Sequence, residues 1–184
     1  MLNELRMATA ALHEQLEKEN SANRILDHSI SLEQYKELLY QNYVAYYITE
    51  KEIAGQLHDY QDFKYKSLEK DLTALDIPLV VPDAVAGNFI CNSKIEALGA
   101  AYVVEGSAMG GRLIAKNIPE CPQLHHIKNH HFFSGKRDSV KSWRSFTKKI
   151  QKKAFSEGEI QIAQKKAQET FLAFSAAFSQ RVPV

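Results

Sequence analysis

Two stretches of this chain carry residues whose types and spacing could do chemistry. The first is RMATAALHEQLE, residues 6–17, in which His13 follows Arg6 by seven positions. On a helix that spacing is two turns along nearly the same face, about 10 Å along the axis. A lone helical histidine is usually a satisfied or exposed one. A histidine with a cation two turns away suits a metal macrocycle with acidic side arms. The imidazole would bind the metal, and the guanidinium would meet a carboxylate at the macrocycle's edge.

The second stretch is AAYVVEGSAMGGRLIAKN, residues 100–117, where Gly106, Gly110 and Gly111 interrupt a helical pattern. Each glycine costs about 1 kcal/mol relative to alanine inside a helix. Tyr102, Gly106 and Gly110 follow one another at intervals of four, so they share a face. Gly99 falls close to the same stripe. A bare face lets a flat, wide partner approach the backbone, and glycine permits a kink. Small residues four apart also let two helices pack closely. Taken alone, the spacing favours that packing reading, and only the histidine helix adds an independent pointer to a ligand.

The elements that must position these residues are helical. Leu5, Leu12 and Leu16 share the face of a first helix over 2–19. SLEQ at 31–34 has the capping-box pattern and opens a long helix to about 57. A shorter helix covers 65–75. IPLVVPDAVAG, 77–87, has two prolines and reads as a connection, with LVV a conceivable strand. SKIE at 93–96 is a second capping box that opens the glycine-interrupted helix, and IPECP stops it. FFSGKRDS links to a helix over 139–154, and SEGE at 156–159 caps a last helix to about 179. The expected fold is all-α, one domain over 1–184, a multi-helix bundle.

Composition excludes several function classes. The 184 residues carry a net charge of +1, which implies no global pull towards nucleic acid or a membrane. Basic residues cluster within 136–153, a pattern read first as a solvated helix face and second as a docking surface for an anionic partner. Cys91 and Cys121 are the only cysteines, too few for a disulfide framework and without a metal or redox motif. The N-terminal residues lack the features of a signal peptide. No run reaches the roughly 18 apolar residues of a membrane span. A cytoplasmic protein is expected.

LRMATAALHEQLE resembles the start of heme oxygenases, where an early helix presents the proximal histidine. YVVEGSAMGGRLI resembles their distal helix, in the bacterial form with Glu-Gly-Ser and a later glycine pair. The two motifs stand in the family's order and spacing, and Phe132, Phe133 and the WRSF segment (143–146) are similar to its C-terminal half. The resemblance implies a heme sandwiched between a proximal and a kinked distal helix. It makes His13 the iron ligand and places Arg6 and Tyr102 towards heme propionates. Gly106 and Gly110, with Gly111, become the distal glycines that press on the heme. Ser107 stands where many members have an aspartate that organises distal water, and Met109 becomes a residue that touches the porphyrin or packs in the core. The implied reaction uses O2 and electrons from a reductase or ferredoxin. Heme, at once cofactor and substrate, is opened to biliverdin, carbon monoxide and ferrous iron.

Other features carry bland readings beside functional ones. HHIKNHH holds His125, His126, His130 and His131. His126 and His130 have the spacing of helix-borne metal ligands, although a solvated loop is the first reading. Tyr43, Tyr46 and Tyr47 read as packing residues with hydroxyl bonds inside the bundle. Phe171, Phe174 and Phe178 read as core, then as cavity walls. Lys141 and Arg144 suit the propionate edge or a donor's docking surface. Two competing functions are a non-catalytic heme carrier or sensor, which would need His13 but not the glycine stripe, and a thiamin-degrading enzyme on the same fold, which would need a nucleophilic cysteine.

Overall fold

The computed structural model describes residues 1–61, 63–134 and 138–183, leaving aside the side chains of residues 19, 108, 109 and 138–140. Its regular elements are helices: α1 Leu2–Glu19, α2 Asn23–Leu26, α3 Leu32–Gln56, α4 Tyr65–Ala74, α5 Lys94–Gly106, α6 Ala108–Asn117, α7 Asp138–Gln151 and α8 Glu157–Phe178. Among the described residues there is no strand, so 79–81 forms part of the connection. No described helix is long and apolar enough to cross a membrane.

The helix starts follow their caps. Ser31 and Ser156 form complete capping boxes, each serine accepting from the third helical N–H while Gln34 or Glu159 accepts from the serine N–H. Ser93 forms only half of one. Its hydroxyl accepts from Glu96 N, but the Glu96 carboxylate turns to the Asn92 N–H at 2.7 Å instead. The helix expected over 139–154 ends earlier, at Gln151, where Lys153 N–H bonds Ile150 O in a tightened final turn.

α3 is the spine. Residues such as Tyr35, Leu38, Leu39, Val44 and Ile53 are buried on successive turns, and α4, α5 and α8 pack around it. Burying one such side chain stabilises the fold by about 1.5–3 kcal/mol. Two of its buried polar residues are satisfied locally: Asn42 bonds Leu38 O and Thr49 bonds Ala45 O, both at 2.7 Å. α5 lies against both α3 and α8, and α1 lies along α8. Leu5 and Phe171 join α1 to α8 in a second apolar cluster with Val103 of α5. This arrangement brings the histidine helix and the glycine helix to one cavity.

Candidate functional site

The cavity has a volume of about 1020 Å³. α1 contributes Thr9 and His13, and the α5–α6 segment contributes Tyr102, Gly106, Ser107, Gly110 and Gly111. Aromatic rings close it: Phe171, Phe174 and Phe178 from α8, Trp143 from α7. Thus the phenylalanines at helical spacing serve core and cavity wall at once.

The glycine helix is broken as its composition suggests. α5 ends at Gly106, Ser107 forms a turn, and α6 begins at Ala108. The break is local, because Ser107 N–H still bonds Val103 O and Gly111 N–H bonds Ser107 O. The glycines divide into two kinds. A Cβ built on Gly99 would lie 2.2 Å from the Ala163 carbonyl oxygen, so Gly99 is where α5 and α8 cross closely. It does not belong functionally to the stripe with which its spacing groups it. At Gly110 and Gly111 an added Cβ would meet no described atom within 4 Å. At Gly106 it would meet only the Trp143 ring, at 3.8 Å. Close helix packing therefore explains Gly99 and fails for the other three, which open onto the cavity.

His13 is exposed at the cavity, 61% for its side chain, and its ring stands edge-on to Phe171 at 5.8 Å. Glu17 Oε1 lies 3.6 Å from Nδ1, beyond hydrogen-bond length but close enough to attract a positive ring. Tyr102 is half-buried above α1. Burial pushes its phenol pKa up, while the Thr9 hydroxyl and the Arg6 charge draw it back. Arg6 thus acts on Tyr102, yet it is exposed and not among the residues lining the cavity. Met109 lies on α6, with its side chain outside the described residues.

Ser107 is held from behind. The buried Tyr46 hydroxyl donates to Ser107 Oγ at 2.7 Å, and Ser107 donates to Val104 O at 2.8 Å. Burial drives the Tyr46 phenol strongly towards its neutral form. Trp143, besides meeting Gly106, packs on Tyr102 at 5.8 Å. Reading the sequence gave Tyr46 only a packing role with a possible hydroxyl bond, and gave Trp143 none of its own. Lys64 also lines the cavity and pairs with Glu105 at 2.8 Å, a contact without any sequence signal.

HHIKNHH is not helical, so His126 and His130 do not share a helix face. His130 Nδ1 pairs with the Tyr35 hydroxyl at 2.6 Å, and His125 Nε2 donates to Pro119 O at 3.0 Å. Asp71 accepts from the backbone N–H groups of His131 and Phe132, which ties the segment to α4. Both cysteines are buried, and burial pushes the Cys91 thiol up to about 12. Such a thiol is a poor nucleophile at neutral pH, which speaks against the cysteine-dependent alternative.

Comparison with known proteins identifies the family and the fold. The heme oxygenase family model matches residues 1–79 and 85–180, so the chain belongs to the heme oxygenase family. A crystal structure of the heme oxygenase from Neisseria meningitidis, determined in NO- and CO-bound forms, has the same fold. It superposes with a TM-score of 0.74 at 18% identity, over 99% of this chain and 96% of that one. Among curated proteins there is no match.

Proposed function

We propose that this chain is a heme oxygenase that cleaves heme to biliverdin, carbon monoxide and ferrous iron, acting as one domain over residues 1–184. The observation that carries the reading is the three open glycines. Gly106, Gly110 and Gly111 leave part of the cavity lining without side chains, where helix packing requires none, in the cavity that His13 also lines. A flat ring fits such a wall, and the aromatic residues suit its apolar edges.

In this reading heme supplies the iron that activates O2 and the ring that is opened. His13 would hold the iron through its imidazole, whose Nδ1 lies 3.6 Å from Glu17 Oε1. Arg6 and Tyr102 take the acidic side arms, a position consistent with the Arg6 charge acting on the Tyr102 phenol. Gly106, Gly110 and Gly111 would let the ring approach the backbone. The segment 106–111 carries no titratable side chain. No protein acid therefore stands there to favour O–O cleavage and peroxidase chemistry. Ser107 acts as a fixed polar point. Its proton is committed to Val104 O and its oxygen to Tyr46, so it accepts and orients rather than donates. Electrons come from a cytoplasmic reductase or ferredoxin, with Lys141 and Arg144 of α7 as docking charges.

The test is optical. One equivalent of hemin is added to the purified protein, then reductant and oxygen, with carbon monoxide trapped. A Soret band that decays to a biliverdin spectrum with carbon monoxide released is expected. A Soret band that survives turnover conditions would instead mean a carrier or sensor. His13→Ala should keep the apo fold, with stability changed by no more than about 0.5 kcal/mol as for exposed sites. It should lose the axial nitrogen and ring opening, and an unchanged hemin spectrum would remove His13 from the role.

A further inference from the structure

The open glycines give the bend between α5 and α6 its freedom but not its position. Gly110 and Gly111 have no described neighbour on the cavity side, and Gly106 has only Trp143. A bend unsupported in front must be held from behind. Tyr46 holds Ser107. The second hold is a buried charge cluster at Glu105, the residue immediately before Gly106.

Glu105 is only 2% exposed. Its Oε1 accepts from Lys64 Nζ at 2.8 Å, while Oε2 is buried with no hydrogen-bond partner among the described residues. Lys64 directly precedes α4 and is fixed at both ends. Its backbone N–H donates to Glu50 Oε1 at 2.9 Å, and Nζ lies 3.9 Å from the same oxygen. Glu50, fully buried on α3, also accepts from Tyr60 Oη at 2.9 Å and from Tyr65 N–H at 3.0 Å. Lys64 is therefore a strut that runs from α3 to the last turn of α5.

Stability alone does not account for the strut. A carboxylate in the last turn of a helix opposes the helix dipole. Oε2 of the Glu105 carboxylate is buried without a hydrogen bond among the described residues, although the Tyr60 phenol stands close enough to act on it, and burial of this kind is costly. Apolar residues of similar volume are often as stable as a buried ion pair, or more so. What the pair supplies that apolar packing does not is a directional bond of fixed length, placed one residue from the bend. We propose that Lys64 and Glu105 are positioning residues that set the height of the Gly106–Gly111 wall over the cavity. The consequence for ring opening rests on the heme oxygenase reading; the effect on the bend does not.

The test compares Lys64→Met/Glu105→Leu with Lys64→Arg. Backbone amide shifts of Gly110 and Gly111, removed in sequence from both substitutions, are measured in the apo protein, with its melting temperature. The visible spectrum of the hemin complex and its rate of ring opening follow. The apolar double variant also takes the Lys64 charge away from buried Glu50, so it should melt no higher than wild type at neutral pH. It should shift those amides, alter the hemin spectrum and slow ring opening by about tenfold or more, as misplacement does. Lys64→Arg should stay near wild type in all four. Unchanged amide shifts in the apolar double variant would overturn the proposal, whether or not it binds hemin. Wild-type protein that fails to bind or open hemin would instead sink the functional reading, with the amide result still deciding the strut.

Discussion

Gly99 and Gly110 sit on the same interrupted helix and do opposite things. Around Gly99 the backbone of α8 comes so near that a single methyl group would overlap the Ala163 carbonyl. Around Gly110 a methyl group would meet no described atom within 4 Å. One glycine exists because two parts of the protein touch. The other serves no packing need that the described residues reveal, so its value must lie in what enters the cavity. Sequence spacing cannot tell these cases apart, since both are small residues on one helical stripe. Their surroundings do.

The largest stability effect should fall on the packed side. Gly99→Ala gains helix propensity of about 1 kcal/mol, but must push α8 away from a backbone contact. Overpacking of this kind costs about 1–3 kcal/mol and sometimes more. With the contact as short as 2.2 Å the clash should win, lowering the apo melting temperature by about 5 °C. An unchanged or raised melting point would show that the two helices are not locked at Gly99, and the contrast would weaken.

The packed region should also respond to pH. Burial pushes the Glu50 carboxyl up to about 7, against the pull of Lys64 and the hydrogen bonds from Tyr65, Lys64 and Tyr60. The folded state thus holds this proton more tightly than the unfolded chain. Its contribution to stability is complete below about pH 4.5 and is lost as pH rises through about 7. Burial raises Asp71 in the same sense and lowers His130, whose contribution is instead lost as pH falls. Glu50→Gln isolates the first of these. The apo melting temperature of wild type should decline relative to the variant between pH 5 and 8, by the equivalent of about 2 kcal/mol. Parallel curves would contradict the assignment.

The smallest effect should fall on the open side. Gly110→Ala should raise apo stability by about 0.5–1 kcal/mol through helix propensity alone. A loss of stability in thermal melts would reveal a neighbour at Gly110 that the contrast does not contain.

Much of this architecture was legible in the sequence. The capping boxes at Ser31 and Ser156 mark their helix starts, because the cap is a local interaction between neighbours in the chain. The break near Gly106 was legible for the same reason. His13, Tyr102, Gly106, Gly110 and Gly111 line one cavity, which spacing within each helix could not show but the family resemblance implied. Residues that act through distant partners were not legible. Tyr46 and Ser107 are 61 positions apart, and Lys64 and Glu105 are 41. Such pairs leave no periodic trace. The histidine run misled in the other direction, since its i, i+4 spacing has no helix to express it.

The measurement that tests the central claim most directly is a hemin titration of Gly110→Leu, run beside an apo melting curve of the same variant. The cavity account predicts an apo melting temperature close to wild type, since a Cβ added there meets no described atom within 4 Å. It also predicts hemin affinity weakened by about 100-fold or more, equivalent to about 3 kcal/mol. Hemin binding and ring opening at wild-type levels in Gly110→Leu would contradict it.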